Sequence, residues 1–316
     1  MGEYLLKAMK DVLGDALTPA IHQAWEAAYT QLADVMIGRE KQIYGECDDW
    51  TDWRDFVISE KVIESEEMTS FSLKPQDGKP LPPFRPGQYV SIRTDVPSLH
   101  YLQSRQYSLS DAPHADHYRI SVKREPGLDL EHPDAVAHPG YISNILHDQK
   151  HVGDTLQVSH PAGEFFLDVE HDKRPLVLIS AGVGLTPMLS MMKTLDEQEA
   201  TQPISWIHAT RNSKVQAFGE DVRSIAQHRP NMHPHVFMKY PSDKDTEGKD
   251  YQFSGRMSLG RLDREGDLFL DKKDAEYFIC GPERFMKDMQ KTLREYGVEE
   301  GRIKLELFGT GAISNS

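Results

Sequence analysis

The segment that most narrows the fold lies in the second half of the chain, where the apolar run Leu176 to Ser180 leads into Gly182, Val183, Gly184, Leu185, Thr186 and Pro187. A short apolar run reads as a buried strand, and a helix predicted from Pro187 follows it, so this is a tight strand-to-helix turn. Its glycines let the turn close and let backbone amides approach a bound group, while Thr186 and Pro187 supply helix-start chemistry. The amino end of that helix is partly positive and suits an anion such as a pyrophosphate. A glycine turn alone often holds nothing. The strand before it and the helix after it are what favour a nucleotide.

The same alternation continues to the end of the chain. Ile204 to His208, Val236 to Met238 and Tyr277 to Cys280 are further strand candidates, which implies a doubly wound parallel sheet over residues 174–316. The strand after the glycine turn runs into Arg211, Asn212 and Ser213. A site selective for NADH commonly places an acid there, facing the ribose hydroxyls. Arg211 instead leans toward the 2′-phosphate of NADPH through a bidentate contact, or is simply a surface arginine. Cys280, Gly281 and Pro282 end one strand and open another helix on the same carboxyl edge as Gly182. A cysteine there can line a slot for a flat ring, and can equally be a core residue.

Residues 52–165 have a different period. Tyr118, Ile120 and Val122 alternate with Arg119, Ser121 and Lys123, and Phe56 with Ile58 and Val90 with Ile92 repeat the pattern. With turn signals such as Arg85, Pro86 and Gly87, this predicts a small antiparallel barrel or sandwich, interrupted by one short helix from Tyr141 to His147. Residues 1–48 are predicted helical. A first helix from Glu3 to Val12 ends at Gly14, and a second is opened by Thr18 and Pro19. Ile21, Trp25, Ala28, Leu32 and Val35 share one face of the second helix, and two such helices need a partner to bury it.

A chain of 316 residues accommodates about two domains. The formal charge of −14 would repel phosphate backbones, so nucleic acid is not an expected partner, and the absence of a long apolar run removes the expectation of a membrane span. Two isolated cysteines, Cys47 and Cys280, give neither a disulfide framework nor a metal-ligand spacing, in keeping with an expected cytoplasmic location. No His-Glu-x-x-His pattern occurs, and His132 and His138 fall in a Pro-rich acidic stretch that reads as loop, so no metal site is expected.

Taken in order, Arg105-x-Tyr107-Ser108, Gly140-x-x-Ser143, the Gly182 turn, Cys280-Gly281-Pro282 and Phe308 resemble the ferredoxin-NADP reductase superfamily, and more closely the reductase part of flavohemoglobins. The resemblance runs over roughly residues 50–310. It implies a six-stranded antiparallel FAD-binding barrel followed by the NAD(P)-binding sheet. Arg105 and Gln106 would lie along the cofactor, Arg105 on its pyrophosphate. Tyr89 and Tyr107 would contact FAD, Tyr107 against the isoalloxazine ring, with Ser108 near the hydride-accepting nitrogen. Gly140 and Ser143 would add donors to the pyrophosphate, and Phe308 would cover part of the ring. Taken singly, each of these aromatics would suit plain core packing. The turn Gly182, Val183, Gly184, Leu185, Thr186 and Pro187, with Arg211, Cys280, Gly281 and Pro282, would hold NAD(P)H. Where many relatives continue Phe-Gly-Pro, this chain has Phe308, Gly309 and Thr310.

Residues 3–47 resemble the last two globin helices of the same family, a remnant in which Glu40 takes the position of a charge-relay glutamate. The histidine it would polarise is not found, because His22 is the single histidine of this region, so Glu40 is expected to be idle and haem is not expected to bind. The implied activity is that of an NAD(P)H-dependent flavin oxidoreductase. It passes hydride to FAD and then single electrons to a haem or a separate acceptor, and in the complete family this serves nitric oxide dioxygenation to nitrate. The alternatives are a stand-alone flavin reductase and a non-enzymatic nucleotide-binding interaction module.

Overall fold

The structure, a computed structural model, describes residues 2–47, 50–96, 102–125, 140–169 and 173–308. His132, His138, Gly309 and Thr310 lie outside the described residues. The chain divides into two compact units, Met1–Thr51 and Asp52–Ser316.

The first unit is a helix pair, α1 (Gly2–Leu13) and α2 (Pro19–Glu46). The Thr18 hydroxyl accepts from the Ile21 amide at 3.4 Å, and Pro19 follows at the first helical position, so α2 starts where its capping chemistry predicts. Neither helix buries a single residue. The stripe of Ile21, Trp25, Leu32 and Val35 is exposed.

The second unit holds two sheets. β1 (Arg54–Ile63), β2 (Met68–Pro75), β3 (Tyr89–Thr94), β4 (Gln103–Ser108), β5 (Tyr118–Lys123) and β6 (Thr155–Val158) form an antiparallel sheet in the order β4-β3-β6-β1-β2-β5. Its ends meet. Leu109, just past β4, bridges Ile120 of β5, and the Ser110 amide donates to the Arg119 carbonyl at 2.9 Å, which closes the barrel. Phe56, Ile58, Val90, Ile92, Ile120 and Val122 point inward and are fully buried, as their alternation predicts. Helix α3 (Tyr141–Asp148) packs against β4 and β5.

Ser121 departs from the simple alternation, because it is buried although it points out of the barrel. The turn at residues 182–184 covers that outer face of β5. Ser121 therefore bonds to the hydroxyls of Ser70 at 2.8 Å and Ser110 at 2.7 Å, a buried polar set that satisfies itself.

The second sheet is wholly parallel. It contains β7 (Leu176–Ala181), β8 (Ile204–Thr210), β9 (Met232–Met238), β10 (Phe253–Ser254), β11 (Glu276–Cys280) and β12 (Ile303–Glu306), in the order β10-β9-β8-β7-β11-β12. Helices α4 (Leu185–Glu197) and α5 (Gly219–His228) pack with Leu176, Leu178, Phe278 and Cys280 on one face, and α6 (Glu283–Glu295) packs with Val177, Ile179, Tyr277 and Ile279 on the other. Met68, Phe165 and Leu167 join the first of these cores, so barrel and sheet share apolar packing. The α4 helix begins at Leu185, two residues before the predicted Pro187, because a 3-10 turn at Gly182–Gly184 already winds the chain. Pro187 is tolerated there since the first-turn amides have no helical acceptor.

Candidate functional site at the sheet edge

The strand order of the parallel sheet reverses between β7 and β11, the point at which open sheets of this kind receive ligands beyond their carboxyl ends. The two turns predicted to bind nucleotide meet there. A Cβ on Gly184 would lie 2.3 Å from the Cys280 carbonyl oxygen, so only glycine lets α4 start against the end of β11. Gly182 has a left-handed φ of +55°, and a Cβ there would meet nothing within 4 Å. The space in front of it is open. Thr186 does not cap the helix: its hydroxyl donates to the Val183 carbonyl at 3.0 Å and braces the turn from within.

A cleft of about 600 Å³ opens from this turn. Its walls include Gly182, Val183, Arg211 and Pro282 from the sheet edge and Ser65, Glu67 and Lys123 from the barrel. Lys239, Arg256 and Arg284 also line it, which makes the cleft locally basic in an acidic chain and suited to several phosphate charges. Leu185 and Pro187 are buried behind the turn. Arg211 sits directly after β8, with its guanidinium paired to the Glu67 carboxylate.

On the barrel side, β3 and β4 pair in register, Tyr89 opposite Ser108 and Ser91 opposite Gln106. Arg105 and Gln106 are exposed, Tyr107 is half-buried and Ser108 is buried. Burial pushes the Tyr107 phenol well above its ordinary range, so it is a neutral aromatic surface. Ser143 is also buried. Its hydroxyl donates to the Gly140 carbonyl at 2.9 Å and accepts from the Glu125 amide at 3.3 Å. The Ser143 hydroxyl therefore braces the start of α3, which packs beside β4.

Cys280 is completely buried, and burial together with the nearby Glu306 raises its thiol well above the usual range. Glu306, opposite Cys280 in the β11–β12 pairing, is raised to about 7 by burial. Its charge also acts on Tyr89, whose phenol is raised chiefly by burial. Glu306 of the sheet thus lies near enough to the barrel for its charge to act on Tyr89, which pairs with Ser108 across β3 and β4. Phe308, the last described residue, is 40 % exposed two positions beyond Glu306.

The oxidoreductase NAD-binding domain family matches residues 178–291. A flavohemoprotein of Rhizobium meliloti strain 1021 is 42 % identical over 313 residues, covering 98 % of this chain and 74 % of the relative. The chain belongs to the flavohemoprotein family. Among solved structures, the flavohemoglobin of Malassezia yamatoensis, described with bound FAD and haem, superposes with a TM-score of 0.79 at 27 % identity over 97 % of this chain and 73 % of that one. The flavohem-like FAD/NAD-binding domain of the Vibrio cholerae nitric oxide dioxygenase gives 0.70 at 35 % identity, covering 82 % of this chain and all of that one.

For a flavohemoprotein, the helix pair is the element that departs from a cofactor site. Glu40 is exposed and accepts from the Tyr44 hydroxyl one turn on, and His22 lies at the surface 3.9 Å from Glu26. Neither helix buries a side chain, so the apolar stripe around Trp25 and Leu32 is uncovered. Asp111, His114 and His117 bring one ligand atom each within 4.8 Å of one another, but Asp111 already faces Arg119 at 3.3 Å and Lys193 at 3.5 Å. The sequence reading missed Glu67, Lys239, Arg256 and Glu306. No local motif marks them, since each reaches the site through pairing between distant segments.

Proposed function

We propose that this chain works as an NAD(P)H-dependent flavin oxidoreductase of the flavohemoprotein type, with FAD along β4 and α3 and the dinucleotide in the cleft beyond Gly182. The observation that carries this reading is the basic cleft that opens beyond Gly182 at the strand-order reversal, walled by the sheet edge on one side and by the barrel on the other. When bound, the flavin accepts hydride from the nicotinamide and releases its electrons one at a time.

The donor set fits a flavin dinucleotide. Arg105 and the first backbone amides of α3 would neutralise the pyrophosphate, with Gln106 beside them. Tyr89 and Tyr107 supply neutral aromatic surface for the ring, Ser108 a hydroxyl at its edge, and Phe308 a cover. Gly182 and Val183 would present backbone amides to the second pyrophosphate, Gly184 and Gly281 let the two turns pack closely, and Pro282 shapes the opposite wall. Cys280 closes the base of the two turns from within the core, and Glu306, pushed up to about 7 by burial, would hold or release a proton near neutrality. We infer that the helix pair does not itself hold haem and that the electrons leave for an acceptor outside these residues, a haem domain or a separate protein.

The test is an absorbance spectrum of purified protein from about 350 to 600 nm before and after NADH is added without oxygen. Flavin bands that bleach on addition, with no Soret band, are expected. Protein that remains colourless after incubation with FAD would end the reading. NADH oxidation with ferricyanide separates it from a nucleotide-binding module without activity.

A further inference from the structure

We propose that Glu67, carried across the cleft by the first barrel hairpin, sets the coenzyme preference by occupying Arg211 and opposing a 2′-phosphate, so that the cleft favours NADH. The inference rests on the nucleotide reading of the cleft. In a doubly wound sheet the residue after the second strand of the nucleotide fold meets the adenosine ribose, and here that residue is Arg211 after β8. Taken from the sequence, an arginine at this place invites a 2′-phosphate. In the fold its guanidinium is already paired with the Glu67 carboxylate.

The backbone that carries this carboxylate is held in place, and Lys123 lies 3.9 Å from the carboxylate on its other side. The Glu67 carbonyl accepts from the Arg124 amide at 2.7 Å, and its own amide donates to the Ser65 hydroxyl at 3.3 Å. Next to it, the Glu66 amide donates to the Lys214 carbonyl at 3.0 Å, which pins the hairpin tip to the loop that follows Arg211. A 2′-phosphate entering beside Arg211 would have to displace this carboxylate or share the guanidinium with it, and sharing would set two anions against one cation in a half-enclosed cleft. The ribose hydroxyl of NADH carries no charge and can donate to the same carboxylate. Glu67 therefore supplies from a distant segment the acid that the end of β8 lacks.

The experiment measures binding of 5′-AMP and 2′,5′-ADP by calorimetry on the full FAD-loaded chain, with kcat/KM for NADH and NADPH alongside. Wild-type protein is expected to bind 5′-AMP at least as tightly as 2′,5′-ADP, with the disadvantage of the bisphosphate shrinking as salt screens the repulsion. Glu67→Gln is expected to tighten 2′,5′-ADP relative to 5′-AMP by about tenfold and to raise the NADPH/NADH ratio of kcat/KM in parallel. The double variant Glu67→Gln, Arg211→Gln should lose that gain. A Glu67→Gln ratio within about twofold of wild type, or a wild type that already prefers 2′,5′-ADP by about tenfold, overturns the proposal while leaving the nucleotide site standing. Failure of every form to bind 5′-AMP overturns both together.

Discussion

Glu306 and His208 show how one residue's surroundings decide what it can do. Burial lifts Glu306 to about 7 opposite Cys280, so its charge changes near neutrality. If the flavin ring lies beside Tyr89 as proposed, a negative charge above that value would oppose hydride arrival, and the rate of flavin reduction by NADH is expected to fall with an inflection near 7. In Glu306→Gln, stopped-flow rates should lose the inflection, and an unchanged pH profile would remove Glu306 from the site. His208 is a different case. It is buried in β8, with its Nδ1 2.9 Å from the Ser180 hydroxyl, and burial lowers its pKa to about 4. A depressed folded value means that the unfolded chain takes the proton first, so this contribution to stability is complete above about 6.5 and is lost as pH falls toward 4. The loss reaches on the order of 2 kcal/mol by about pH 5. Urea midpoints measured from pH 7 to 5 should decline more steeply in wild type than in His208→Gln.

At the scale of elements, the turn between β7 and α4 separates a packing role from a binding role within three residues. Gly184→Ala would drive a methyl into the Cys280 carbonyl and is expected to cost about 2–4 kcal/mol of stability, read from the urea midpoint. Gly182→Ala faces open space and carries only the strain of a left-handed φ, about 1 kcal/mol. Its larger effect should be weaker nucleotide binding. If calorimetry finds the affinities of the two variants reversed, the cleft has been placed on the wrong side of the turn. This turn was legible in the sequence because strand, glycines and helix are neighbours in the chain and their periodicity announces them. The segment from Arg105 to Ser108 stands in β4, where the motif in the sequence had drawn attention to it. Glu67 was not, since its partner is 144 residues away, and Glu306 acquires its environment only when β12 pairs with β11. Ser121 was misread by simple alternation because a segment that covers the barrel's outer face lies beyond the reach of a local pattern.

Across the whole molecule, the barrel and the parallel sheet are distinct sheets held by a common apolar seam. Met68, Phe165 and Leu167 of the barrel side share a core with Leu185, Met188 and Met191, and the Ser190 hydroxyl in the same helix donates to the Asp111 carbonyl at 2.7 Å. Phe165 meets Phe278 of the sheet edge to face, ring centroids 5.4 Å apart. Either sheet alone would expose that surface, so the two are expected to unfold as one cooperative body. Met188→Ala removes a fully buried side chain from the seam and should lower stability by about 2–4 kcal/mol. The informative measurement is whether two probes move together. Release of flavin fluorescence reports the barrel, and far-ultraviolet dichroism reports mainly the helices flanking the sheet. In wild type and in Met188→Ala the two thermal transitions should coincide and shift together. A Met188→Ala protein that releases flavin several degrees before its helices melt would mean that the seam only joins two independently stable bodies. The placement of Glu67 opposite Arg211 would then have to be held by the hairpin contacts alone.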